Sequence, residues 1–255
     1  MRKLLEKTAD RLIVKAFETR EEMGREAAED AAQRINAIIE KKGFVNAVFA
    51  AAPSQNEFLA CLLEQDIDWS KVQAFHMDEY VGLDKDAPQG FGNFLRDAIF
   101  GKVPFAKVNY LNGQAADISR ECERYSKLLE ENPVDIIFLG IGENGHLAFN
   151  DPAVADFDDR RKVKAVQLDI VCRNQQVNDG CFEKLEDVPK SALTLTMSMI
   201  MSVPEAVVIV PGAQKKYAVK RTTHGDITTQ CPASILKQHQ SAVLYLDKES
   251  AQDLL

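Results

Sequence analysis

Apolar positions along this chain follow two rhythms. Residues 44–52, 72–77, 134–139, 205–210 and 241–247 are short, almost continuously apolar runs. That is the pattern of strands buried on both faces of a sheet. Between them, apolar residues fall three or four apart, as on one face of a helix. Thr19-Arg20-Glu21-Glu22 has the spacing of a capping box, and the stripe that follows runs through Ala27, Ala31, Ile35, Ile38 and Ile39. Gly43 stands where a C-cap glycine belongs. A second helix is predicted over 57–64, behind the break Pro53-Ser54-Gln55-Asn56. A third runs from a cap at Asp117 to about residue 131, and a fourth from Ala213 to about Arg221.

Strands alternate with helices almost throughout. The fold class is therefore α/β, a Rossmann-like and largely parallel sheet flanked by helices in a single domain. No internal repeat, low-complexity tract or linker divides the chain. Three stretches lack a clear rhythm. The segment after residue 80, with Pro88, Gly90 and Gly92, reads as a long loop. Residues 156–187 are polar, charged and poorly periodic, and read as a mobile lid or an excursion from the sheet. Residues 191–202 are ambiguous, with Met197, Met199 and Met201 alternating.

Composition narrows the class. A chain of 255 residues has room for one large α/β domain. A net charge of −8 argues against nonspecific binding to nucleic acid or an anionic membrane. An anionic small substrate remains compatible, since local cations and backbone amides can hold one. The five cysteines, Cys61, Cys122, Cys172, Cys181 and Cys231, form no CxxC pair, which points to a reducing compartment. Charges at Glu6, Lys7, Asp10 and Arg11 interrupt any apolar core of a signal peptide. No apolar run approaches membrane-spanning length, so a cytoplasmic protein is expected.

Four of the predicted strands end in polar residues. Ser54 and Gln55 follow the first, and Asp78 and Glu79 follow the second. Gly140-Ile141-Gly142-Glu143-Asn144-Gly145-His146 follows the third, with Asp151 just beyond. Gly212 and Lys215 follow the fourth. In a parallel sheet, ligands bind outside the carboxyl ends of the strands.

Asp78 is either a turn cap or a desolvated carboxylate base. Glu79 beside it points to the opposite face if the strand continues, and reads as structural. His146 lies among glycines that let a ligand approach, and Asp151 can orient its imidazole. His76, His224 and His239 lack such company and read as structural. Lys215 is either a solvated helix lysine or a phosphate ligand at a helix start. GxxxxGK[ST] is absent, so nothing signals a P-loop nucleotide site.

Two longer segments carry a family resemblance. Residues 75–83, FHMDEYVGL, resemble the MDEYVGL signature of glucosamine-6-phosphate deaminases. Residues 140–152, GIGENGHLAFNDP, resemble their GIGxxGHxxFNEP signature. Residues 188–194, 212–215 and 232–247 are similar to further segments in the same order. The resemblance implies conversion of glucosamine 6-phosphate and water to fructose 6-phosphate and ammonia, by an enzyme of the hydrolase and isomerase classes. It implies that Asp78 moves a proton between C2 and C1. His146 would assist ring opening, with Asn144 and Asp151 around it. Lys215 would hold the phosphate, with Ser54, Gln55, Gly142 and Gly145 also lining the substrate site. No metal or organic cofactor is implied. The implied partner is a small amino-sugar phosphate, with neither nucleic acid nor membrane, and family members often form homo-oligomers.

Three departures stand out. The family's TGGTP loop corresponds here to Ala50-Ala51-Ala52-Pro53-Ser54-Gln55-Asn56. The carboxylate of FNEP is shortened to Asp151. An arginine that many members carry in the mobile segment corresponds to Gln175 or Gln176, with Arg173 nearby. These departures bear on which sugar is taken, and a galactosamine 6-phosphate is an alternative. A 6-phosphogluconolactonase would use His146 but not the Asp78-Glu79-Tyr80 context. A noncatalytic sugar-phosphate sensor would keep the pocket without needing the base.

Overall fold

A computed structural model describes residues 2–255. The chain opens with a hairpin, β1 (Lys3–Ala9) and β2 (Leu12–Phe17), turned at Asp10 in a left-handed conformation with φ 52°. Helix α1 (Arg20–Lys42) starts as the capping box dictates. Thr19 accepts from the Glu22 amide, and Gly43 ends the helix at φ 84°. Then come β3 (Val45–Phe49), a 3-10 turn at Pro53–Gln55 and α2 (Asn56–Leu63). β4 (Val72–His76) is followed after one residue by β5 (Asp78–Tyr80). Next are α3 (Phe91–Leu95), which continues into a π-helical turn at Arg96–Phe100, β6 (Lys107–Asn109), α4 (Ile118–Glu131) and β7 (Ile136–Leu139). β8 (Val163–Gln167), α5 (Ile170–Asn178), β9 (Ser191–Leu195) and α6 (Met197–Ser202) follow. β10 (Glu205–Val210), α7 (Lys216–His224) and β11 (Ala242–Asp247) complete the chain.

The main sheet has eight strands in the order β1-β2-β11-β10-β7-β3-β4-β6. Every pairing except the β1–β2 hairpin is parallel, so the expected class holds. Successive residues of its strands feed two cores. Val45, Ala47 and Phe49 of β3 and Ile136 and Phe138 of β7 meet Met23, Ala27, Ala31 and Ile35 of α1 and Phe58 of α2. Val48, Ile137 and Leu139 face the other way, toward Tyr125 and Leu129 of α4 and Leu236. Burial on both faces explains why these strands read as unbroken apolar runs. Among the described residues no helix is long and apolar enough to cross a membrane.

Three readings change. The loop after Tyr80 contains α3 and its π-helical turn, and β6 lies beyond it. Residues 156–187 are structured: β8 pairs antiparallel with β9, and α5 follows. The polarity there is partly internal. Asp159 meets Arg161 at 2.9 Å and the buried Lys164 at 3.2 Å, and Lys164 also donates to the Val154 carbonyl at 2.7 Å. Finally, β5 leaves the parallel sheet and joins a second, three-stranded antiparallel sheet, β5-β9-β8. The chain changes sheet at Met77, whose carbonyl accepts from the Leu195 amide at 3.1 Å.

Candidate active site

The carboxyl ends of β3, β4, β7 and β10 open onto one cavity of about 590 Å³, the crevice expected for a parallel sheet. Its walls include Ala51 to Ser54, Asp78, Gly140 to Gly142, His146 and Pro211 to Lys215. Asp78, His146, Lys215, Ser54 and Gly142 are thus brought together from four strand ends.

Asp78 is the first residue after the sheet change. It is 6% exposed and borders the cavity. Burial pushes the carboxyl well above its ordinary value, and the neighbouring charge of Glu79 adds to the shift. A desolvated carboxylate is a stronger base once ionised. Glu79 points elsewhere, as alternation predicted. Its carboxylate accepts from the amides of Tyr80, Phe91 and Gly92 at 2.9, 3.1 and 2.8 Å, which ties β5 to α3.

His146 sits at the end of the glycine loop. Its Nδ1 lies 2.8 Å from Asn144 Oδ1 and 3.0 Å from Asp151 Oδ1. Asn144 Nδ2 donates to the same Asp151 oxygen at 2.8 Å, and Asn144 Oδ1 also accepts from the His146 amide at 3.0 Å. Both neighbours of Nδ1 are acceptors, so Nδ1 carries a proton and Nε2 is left for the cavity. Burial pushes Asp151 up, but hydrogen bonds and charge from His146, with help from Asn144 and Cys172, hold its carboxyl below the ordinary value. The shortened side chain at 151 therefore still reaches the imidazole. Asn144 and Asp151 do not border the cavity; they hold His146 from behind.

The glycines divide. Gly142 lies against the imidazole, and a Cβ there would fall among its ring atoms. Gly145 does not line the cavity, which corrects its expected place in the substrate site. It turns the loop at φ 86°, and a Cβ would stand 2.6 Å from Cys231 Sγ. Gln55 is corrected in the same way. It is 1% exposed and donates to Ser54 Oγ at 3.1 Å and to the Ile209 carbonyl at 3.2 Å, so it braces the loop from below. Ser54 keeps its place in the wall.

Lys215 is 7% exposed and belongs to a 3-10 turn, Ala213–Lys215, that precedes α7. Burial pulls its ammonium below the ordinary lysine value, against the opposing pull of Asp179 and Glu143. Gly212 is at φ 98°, and its amide is already bound to the Asp247 carboxylate at 3.0 and 3.1 Å.

The polar segment roofs the site. From α5, Gln175 Oε1 accepts from the Glu143 amide at 2.9 Å, and Gln175 and Gln176 both border the cavity. Phe182 packs edge-on against Tyr80, with centroids 5.6 Å apart. Cys172 brings its thiol to Asp151, and donor atoms of His146, Asp151 and Cys172 lie within 4.8 Å of one another. Such a trio has donors for a soft cation. Here, though, Nδ1 is held by two hydrogen-bond acceptors, and burial pushes the Cys172 thiol far up, so the residues fit a hydrogen-bonded network better than a metal cage. Cys172 and Arg20, the latter also in the cavity wall, carried no local signal as site residues. Arg20 reads in sequence only as part of a helix cap.

The chain is similar to known proteins over most of its length. Residues 18–245 match the family model described as glucosamine-6-phosphate isomerases/6-phosphogluconolactonase. A glucosamine-6-phosphate deaminase of Listeria innocua is 38% identical over 218 residues, 84% of this chain and 91% of that protein. One from Streptococcus suis is 36% identical over 206 residues, 81% of this chain and 86% of that protein. The solved structure of a monomeric glucosamine-6-phosphate deaminase is similar with a TM-score of 0.86 at 28% identity, covering 94% of this chain and 98% of that one. A 6-phosphogluconolactonase from Thermotoga maritima shares the fold, with a TM-score of 0.76 at 18% identity over 93% of this chain and 100% of that one. The expectation of a hydrolase is corrected by these matches. The family description begins with isomerases and the similar sequences are deaminases.

Proposed function

We propose, from the premise that this chain belongs to the glucosamine-6-phosphate isomerase/6-phosphogluconolactonase family, that it is an amino-sugar phosphate isomerase and deaminase. It takes glucosamine 6-phosphate and water to fructose 6-phosphate and ammonia. The observation that carries this reading is the placement of Asp78 and His146 on one cavity with Lys215 in its wall.

The residues divide the work as follows. His146 Nε2 exchanges a proton with the ring oxygen and opens the sugar. Asn144 and Asp151 fix the tautomer and support the imidazolium when it forms. Asp78 takes the proton from C2, leaving an enolamine, and returns it to C1. The product is an imine at C2. Water adds there and ammonia departs, leaving the ketose. A positioned group of this kind contributes about 10²–10⁴-fold. Lys215 binds the phosphate and stays outside the proton transfers. Residues 156–187 act as the lid: α5 and the Phe182 contact close the cavity and exclude water.

All five cysteines are free, which supports a reducing, cytoplasmic setting. The net charge of −8 supports a small-molecule partner over nucleic acid.

A coupled assay for ammonia released from glucosamine 6-phosphate tests the reading, with galactosamine 6-phosphate and 6-phosphogluconolactone as parallel substrates. Ammonia from glucosamine 6-phosphate is expected. Preference for the galactosamine ester would change the sugar and keep the reaction. Lactone turnover without ammonia, or tight binding of both amino sugars without turnover, would overturn it.

A further inference from the structure

A sugar phosphate brings about −1.5 to −2 charges at neutral pH, and the cavity meets it with one buried lysine. An anion so weakly compensated is costly to desolvate. The segment in which the sequence suggested a second cation does not supply one. Gln175 and Gln176 are neutral. Arg173 is turned away from the cavity, and its Nη2 donates to the carbonyls of Leu185 and Val188 at 2.7 and 2.9 Å.

Another arginine borders the same space. Arg20, in the first turn of α1, lines the cavity together with Ala51 to Ser54 and Lys215. Its Nη2 donates to Glu57 Oε2 at 2.9 Å and to the Pro53 carbonyl at 3.3 Å. These two contacts hold the guanidinium against the loop that carries Ser54. The rest of the group is unsatisfied: Nε is buried with no acceptor, and Nη1 has no hydrogen bond among the described residues. A planar guanidinium held along one side, with donors to spare, is suited to a phosphate oxygen.

We propose that Arg20 is the second phosphate-binding cation of this site, standing in from α1 for the arginine absent from the α5 segment. The inference rests on the sugar-phosphate reading of the cavity. Its consequence is that the cations come from the body of the domain, α1 and the turn after β10, and not from the lid. The phosphate can therefore dock before residues 156–187 close.

The test compares Arg20→Gln, Arg20→Lys and Glu57→Gln with the wild type, using inorganic phosphate as the probe and glucosamine 6-phosphate as substrate. A charge-assisted contact changes affinity about tenfold or more. Arg20→Gln should raise the inhibition constant of phosphate and the KM for glucosamine 6-phosphate by about that factor. Any fall in kcat should be smaller than the rise in KM, and Arg20→Lys should recover part of the loss. Glu57→Gln breaks the same ion pair but keeps the guanidinium, so phosphate affinity should be retained. If Glu57→Gln weakens phosphate binding as much as Arg20→Gln does, or if Arg20→Gln lowers kcat and leaves KM and the phosphate inhibition constant unchanged, Arg20 only ties α1 to α2 and the proposal falls. If the wild type releases no ammonia, the functional reading fails on its own. Calorimetric titration of phosphate into the wild type and Arg20→Gln then still decides the cation: equal affinity overturns it, and a loss of about tenfold upholds it.

Discussion

Gly142 and His146 are fitted to each other: any side chain at 142 would occupy the space of the imidazole. The Gly142 amide also donates to the His146 carbonyl at 3.0 Å. The glycine is required by this close approach alone, since its φ is not among the positive ones. Gly142→Ala should therefore push the ring off Asn144 and Asp151. Overpacking of this kind costs about 1–3 kcal/mol of stability. The loss in kcat should be larger, about 10²-fold, if His146 acts as an acid and base. Paired measurements of kcat and thermal melting check it. A variant with native kcat would show that the imidazole position does not matter.

Asp78→Asn should abolish turnover and yet stabilise the fold at neutral pH. The folded carboxyl holds its proton to higher pH than the unfolded one, whose ordinary value is 3.8. Between those two points the folded state binds more protons, so stability falls as pH rises. An amide carries no charge and escapes that loss. The variant should thus unfold at higher denaturant than wild type at pH 7, and the two should converge below 3.8. The same shift places the acid limb of kcat/KM above the ordinary carboxylate range. An acid limb near the ordinary value, or a variant less stable at pH 7, would contradict the buried charge.

Lys215→Met should raise KM for the phosphorylated sugar much more than it lowers kcat, by about tenfold or more for a charge-assisted contact. With unphosphorylated amino sugar at high concentration, wild type and variant should be similarly poor. Because burial lowers the lysine's pKa, phosphate affinity should weaken on the alkaline side earlier than an exposed lysine would allow. Equal losses on both sugars would move Lys215 from the phosphate to the chemistry or the fold.

The lid assignment of residues 156–187 predicts that a substrate analogue slows hydrogen exchange across α5 and at the Glu143 amide, which Gln175 receives at 2.9 Å. Gln175→Ala should weaken that slowing and raise KM. Equal exchange with and without the analogue would rule the lid out.

The sequence by itself determined the parts whose cause is local. Strands buried on both faces must be apolar without interruption, so β3, β4, β7, β10 and β11 were legible. Thr19, Gly43 and Asp117 act within one turn of their own position, so the helix ends were legible too. Strand ends bearing Asp78, His146 and Lys215 pointed to one edge because parallel strands share a direction.

Tertiary structure decided what depends on distant pairing. β5 leaves the main sheet because β9, more than 100 residues later, offers it an antiparallel partner at Thr194, Leu193 and Ala192. The 156–187 segment reads in sequence as a mobile lid or an excursion from the sheet, since pairings such as Asp159 with Arg161 and Lys164 leave no periodic pattern. Gln55 and Ser54 are neighbours in sequence, but only packing against Ile209 turns one inward and leaves the other in the wall. Gly142 and Gly145 are alike in sequence; the first is shaped by an imidazole and the second by Cys231. Arg20 belongs to a helix cap by its spacing. It enters the cavity because α1 packs beside α2 and Glu57 fixes its guanidinium, a relationship across 37 residues that no local pattern records.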